Sequence, residues 1–242
     1  MNILAIGNSF SQDATRYLYG VAKADNVDLH VVNLYFGGCS LEQHYEFMLG
    51  EKKEYALEQN GVDTGIKVSL KDALKLCSWD VITLQQVSTK SFNYSTYQPY
   101  LNKIVEYVKS YCSNAKIVIH QTWAYEKESD ILLNSVNYKT PQLMLADIVT
   151  AYEQAKKDIG AVGIISSGEM FLKLLSNGIE KIHRDTFHAS LGLGRYALAL
   201  LWYRVLCNRS VKNNVFCDFD EDVSLQDMKI VKNQVEKFLP IL

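Results

Sequence analysis

Two short segments near opposite ends of the chain carry residue types that together can activate a hydroxyl. The first is Gly7-Asn8-Ser9-Phe10-Ser11, which ends an apolar run and precedes a helical pattern. A serine on such a strand-to-helix turn projects its hydroxyl at the carboxyl end of the strand, where backbone N–H groups can stabilise a developing oxyanion. The same position also suits an ordinary helix N-cap, which favours Ser, Asn and Asp for capping alone. The second segment is Asp185-Thr186-Phe187-His188. A base that deprotonates serine must be neutral near pH 7 and held in one tautomer, and a carboxylate on Nδ1 does both. Asp185 reaches His188 if the loop makes a single turn. A loop histidine with a structural hydrogen bond is the plainer reading of His188 alone, and the presence of Ser9 tips the balance towards catalysis.

Further groups bear on how an oxyanion would be held. Phe36-Gly37-Gly38-Cys39 follows the second apolar run, and paired glycines allow a tight turn with an exposed N–H. Leu84-Gln85-Gln86 ends the third run and brings amide donors to the same edge. Gln85 is the expected oxyanion donor, with Gln86 close behind and assigned to substrate binding. Trp123 and Tyr125, after the fourth run, are placed on a pocket wall where they would stack on a sugar ring; core packing is the alternative.

These residues need a scaffold that collects strand ends. Five apolar runs read as buried parallel strands: Ile3–Ile6, Leu29–Leu34, Val81–Leu84, Ile117–His120 and Val162–Ile165. Helical spacing occupies Ala14–Ala24, Tyr100–Tyr111, Leu143–Lys157 and Leu191–Val205, and a capped stripe follows over Ser224–Phe238. Alternating strands and helices predict an α/β fold, a three-layer α/β/α sandwich on a five-stranded parallel sheet, with ligands at the carboxyl ends of the strands. Asn60-Gly61 marks a small β-hairpin excursion near 55–70. No repeat or linker divides residues 1–242, so one domain is expected.

Bulk properties exclude several classes. A hydrophobic share of 48%, a charged share of 21% and a net charge of −2 describe a folded chain with little attraction for nucleic acid. The five cysteines are widely spaced and form no C-x-x-C pair. No basic leader and no run long enough to span a bilayer are present, so a cytoplasmic protein without membrane partners is expected. His183, Asp185 and His188 have the types of an iron facial triad, but that arrangement belongs on a β-barrel. Cys39 and His44 are five apart, too far round a helix to act as a pair. No metal and no organic cofactor is implied.

The order of these blocks resembles the SGNH, or GDSL-type, hydrolase superfamily over nearly the whole chain, with the flavodoxin-like fold of that group. Its Gly-Asp-Ser-x-Ser block matches Gly7-Asn8-Ser9-Phe10-Ser11 with Asn8 in place of aspartate, and its Asp-x-x-His block matches Asp185–His188. The resemblance implies Ser9 as nucleophile, His188 as base, Asp185 as its partner, and the N–H groups of Ser9 and Gly38 as oxyanion donors. The superfamily's Gly-x-Asn-Asp block is absent, and Gln85 is the substitute, as in members resembling sialate O-acetylesterases. The implied activity is hydrolysis of short acyl esters, acetyl on a carbohydrate above all; the alternative is a weak or inactive carbohydrate-binding member of the same fold.

Overall fold

Runs that are apolar on both faces can be buried only in the middle of a layered structure, and the computed structural model, which describes residues 1–242, places them there. The strands are β1 (Asn2–Gly7), β2 (His30–Tyr35), β3 (Tyr55–Gln59), β4 (Val62–Val68), β5 (Val81–Leu84), β6 (Lys116–His120) and β7 (Gly163–Ile165). They form one sheet in the order β4-β3-β2-β1-β5-β6-β7. All five expected strands are present and pair in parallel. Ile6 lies opposite both Leu34 and Leu84, so β1, β2 and β5 end level with one another. The loops after these three strands therefore leave the sheet at a common edge.

The sheet is larger than expected, and mixed. The hairpin anticipated near 55–70 is not an excursion but the antiparallel pair β3–β4, and β3 pairs with the outer edge of β2, Leu34 opposite Leu57. Asn60 and Gly61 make the two-residue turn, both with positive φ (51° and 83°), as a turn matching strand twist requires. The buried side chains of Tyr55 and Leu57 hold the hairpin down, and the pairing satisfies backbone groups that an edge strand would leave open. Turn chemistry marks a hairpin locally, but its docking partner is a tertiary fact.

The helices are α1 (Ser9–Thr15), α2 (Leu18–Ala24), α3 (Leu41–Leu49), α4 (Leu70–Leu74), α5 (Tyr100–Tyr111), α6 (Pro141–Ile159), α7 (Ser167–Leu175), α8 (Leu193–Cys207) and α9 (Leu225–Val235). Contacts between α3, α4, α5 and α6 define one layer; those among α1, α2, α7, α8 and α9 define the other. Helix α8 is apolar nearly all round and almost wholly buried, as such a helix must be. The helix expected over 14–24 is instead two. It starts at Ser9, because the Asn8 side chain caps it, and breaks after Thr15, whose Oγ1 bonds back to the Ser11 carbonyl at 2.9 Å. Such back-bonding competes with the helix and bends it.

Candidate active site

The first block explains itself from its backbone outward. Gly7 has no room for a side chain: a Cβ there would lie 2.5 Å from Ser11 Oγ and 3.0 Å from the Gln85 side chain. The turn thus packs directly on the start of α1. Ser11 Oγ sits 2.8 Å from the Asn8 carbonyl and 2.7 Å from Asn33 Oδ1, tying α1 to β2. Ser9 opens α1, so its own N–H has no partner within the helix.

Asn8 is buried and fully bonded. Its Oδ1 accepts from the Phe10 N–H at 3.0 Å and from Gln85 Nε2 at 2.7 Å, and its Nδ2 donates to the Cys39 carbonyl at 3.0 Å. The backbone partners fix which end of the amide is which. It follows that the Gln85 nitrogen faces Asn8 and its oxygen faces His120 Nδ1 at 2.8 Å, so that nitrogen carries the proton. His120 Nε2 then accepts from Ser167 Oγ at 3.1 Å. Burial drives the His120 pKa down to about 3, so the ring stays neutral, as this chain of bonds needs.

At the other end of the chain the Asp185 loop brings its histidine to the serine. His188 Nε2 is 2.8 Å from Ser9 Oγ, and His188 Nδ1 is 2.8 Å from Asp185 Oδ2. The other oxygen of Asp185 accepts from the His188 N–H at 2.8 Å. Burial would raise the Asp185 pKa, but the hydrogen bonds from the His188 ring and backbone outweigh it and hold the carboxyl below its ordinary value. Thr186, between them, has φ of 74°, costly for a β-branched residue. The loop is held in that shape because the Thr186 carbonyl accepts from Glu126 N at 2.7 Å and the Phe187 carbonyl from Trp123 Nε1 at 2.7 Å.

An ion-pair network braces the same loop from below. Arg184 Nη1 bonds both oxygens of the fully buried Asp13 at 3.0 Å, and Arg195 Nε bonds Asp13 Oδ1 at 2.8 Å. Burial raises the Asp13 pKa, against the opposing pull of Arg184 and Arg195. Arg195 continues to Asp220 at 2.8 Å, where Arg16 makes a two-pronged pair at 2.6 and 2.8 Å. The hydrogen bond from Arg16 pulls the Asp220 pKa down to about 2.

Ser9 and His188 open into a cleft of about 490 Å³ at the carboxyl ends of the strands, and Gly38, with φ of +66°, lies on its rim. Three expectations fail here. Gln85 does not face the cleft: its amide is spent between Asn8 and His120. Gln86 is buried too, its oxygen accepting from the Leu41 and Val87 N–H groups and its nitrogen donating to the Thr96 carbonyl. Trp123 is enclosed, stacked on Phe10 at 4.0 Å between ring centroids, and its N–H serves the Asp185–His188 loop. Each fails for the same reason: a strand-end side chain can turn into the loops as readily as towards solvent. Tyr125 does reach the cleft wall, with its hydroxyl on Ser88 Oγ at 2.9 Å.

The sequence reading missed Gln12, Tyr35, Ser88, Thr89, Arg184 and Phe187 as cleft residues. Two left a signal. Gln12 is three residues after Ser9 on α1, hence on its face, and Arg184 directly precedes Asp185.

This architecture of a sheet flanked by helices is the one SGNH hydrolases share. A protein provisionally assigned as an SGNH hydrolase from Slackia heliotrinireducens superposes with a TM-score of 0.59 at 22% identity, covering 83% of this chain and 95% of that chain. Acetylxylan esterase Axe2 from Geobacillus stearothermophilus does so with a TM-score of 0.56 at 14% identity, over 84% and 92%. More specifically, residues 2–237 match the DUF4886 family, a domain of unknown function, and the chain belongs to that family. A DUF4886 family protein from Bacteroides uniformis is 29% identical over 98% of this chain and 93% of its own, with a TM-score of 0.87. No curated protein matches the sequence. No helix is long and apolar enough to cross a membrane.

Two substitutions test this geometry. Asn8→Asp removes the donor to the Cys39 carbonyl and buries a carboxylate, an expected loss of about 1–3 kcal/mol near neutral pH. Burial raises the pKa of the new acid, and the protonated form regains a donor, so urea unfolding should show a gap to wild type that is small below about pH 4 and widens above it. Asp220 has its pKa depressed on folding, so its carboxylate stabilises above the ordinary value of 3.8 and that contribution disappears as pH falls through about 2. Asp220→Asn should therefore be less stable than wild type at pH 5–7, with the gap closing below about pH 2, by unfolding followed across pH.

Proposed function

We propose that this protein is a serine esterase that hydrolyses short acyl esters, acetyl esters above all, and that carbohydrate is the acyl carrier. The observation that carries the reading is the continuous line from Ser9 Oγ to His188 Nε2 and from His188 Nδ1 to Asp185 Oδ2, each link 2.8 Å. The likeness of the fold to an acetylxylan esterase supports the choice of acyl group and carrier.

In the proposed reaction His188 takes the Ser9 proton as the hydroxyl attacks the ester carbonyl, and Asp185 stabilises the imidazolium. The tetrahedral oxyanion is held by the backbone N–H groups of Ser9 and Gly38. The acyl C–O bond then breaks, His188 returns the proton to the departing alcohol, and water hydrolyses the acyl-enzyme by the same steps in opposite roles. Gln85 acts at one remove, by fixing Asn8. The missing third donor is the observation that favours a weaker catalyst, since one oxyanion donor is typically worth about 100-fold to 1,000-fold in turnover.

Purified wild type and Ser9→Ala are compared on p-nitrophenyl acetate and butyrate at about pH 8. Wild type is expected to release p-nitrophenol, faster from acetate, and Ser9→Ala to fall to the rate without enzyme. Equal release by both proteins would remove Ser9 from the mechanism and leave sugar binding without turnover as the better reading.

A further inference from the structure

Among the fifteen residues that line the cleft, Arg184 is the one with a fixed charge, and no carboxylate lines it. Its guanidinium is already held in place: Nη1 is taken by both oxygens of Asp13 and by the Ala189 carbonyl, and Nε lies 4.0 Å from Asp185 Oδ2. Nη2 bonds to no protein group, and the side chain is 25% exposed. Beneath it Asp13 is shared with Arg195, and Asp220 with Arg195 and Arg16. Asp185, across from Nε, has both oxygens engaged by His188.

A guanidinium fixed through Nη1 with Nη2 free offers preorganised N–H donors to an anion, with little entropy left to lose on binding. The rest of the cleft lining includes Gln12, Ser88 and Thr89, which can bond a polar ligand. We infer that Arg184 is a specificity residue that pairs with a carboxylate on the alcohol portion of the substrate, so the preferred substrates are acidic rather than neutral esters. The inference rests on the esterase reading. The carboxylate takes no part in the bond changes; it orients the ester so that its carbonyl meets Ser9.

The test compares two matched aryl acetates, 3- or 4-acetoxybenzoate and the corresponding methyl acetoxybenzoate, by release of the phenol. The neutral ester has the better leaving phenolate, so without recognition of charge it reacts faster. Wild type is expected to favour the acidic ester by about tenfold or more in kcat/KM, through KM, with the preference shrinking as salt is added. Arg184→Gln should reverse the preference. Arg184→Lys, which keeps a cation for Asp13 but loses the Nη2 donors, should reduce it, and serves if Arg184→Gln does not fold. Equal or faster hydrolysis of the neutral ester by wild type, or an acid preference untouched by both substitutions, overturns the assignment while Ser9-dependent turnover leaves the esterase reading standing. Absence of Ser9-dependent turnover on both esters and on p-nitrophenyl acetate would overturn the two together.

Discussion

Three loops leave the same edge of the sheet, and the amide of Asn8 is bonded to all of them. It accepts from the start of α1, donates to the Cys39 carbonyl after β2, and accepts from Gln85 after β5. In a buried position every one of these groups would otherwise lack a partner, and each loss costs about 1–3 kcal/mol. An amide suits the arrangement, because it donates from one atom and accepts on the other while carrying no charge at any pH. Gln85 and His120 extend it inwards as far as Ser167 on α7, so the polarity of the chain of bonds is set from one backbone N–H to the interior of the molecule. Ser9 stands one residue from the centre of this network.

The histidine side is held by different forces. Trp123 stacks on Phe10 of α1, worth about 0.5–1.5 kcal/mol beyond burial, and donates to Phe187 in the Asp185 loop, so a single side chain spans the Ser9 helix and the His188 loop. Asp13, on the same short helix as Ser9, grips Arg184 next to Asp185. Both ties run from α1 to the loop, and together they offset the strain at Thr186. The helix that carries Ser9 is therefore also the template for the position of His188.

The parallel strands were legible because continuous apolar runs have one comfortable place in an α/β protein, and the chemistry of the loop after each strand followed from the fold. The Ser9, His188 and Asp185 triplet was legible because each residue is short-range to its own motif. What was not legible depends on contacts made across the chain. The hairpin's turn was visible in Asn60-Gly61, but not its pairing with β2. Gln85 and Trp123 had the right types at the right edge of the sheet, yet buried partners at Asn8, His120 and Phe187 claimed their polar atoms. Helices α3, α4 and α7 are too short for their periodicity to stand out, and tertiary packing sustains them. Arg184 directly precedes Asp185, but its place on the cleft depends on its grip on Asp13, a contact across 171 residues.

The proposed chemistry requires that His188 generate the nucleophilicity of Ser9, and a fluorophosphonate probe followed by intact mass and peptide mapping reads this directly, without any choice of ester. Wild type should gain one phosphonyl adduct, located on Ser9, while His188→Ala should label at least about 100-fold more slowly. No adduct on Ser9, or labelling of Ser9 at the same rate in wild type and His188→Ala, would contradict the central claim.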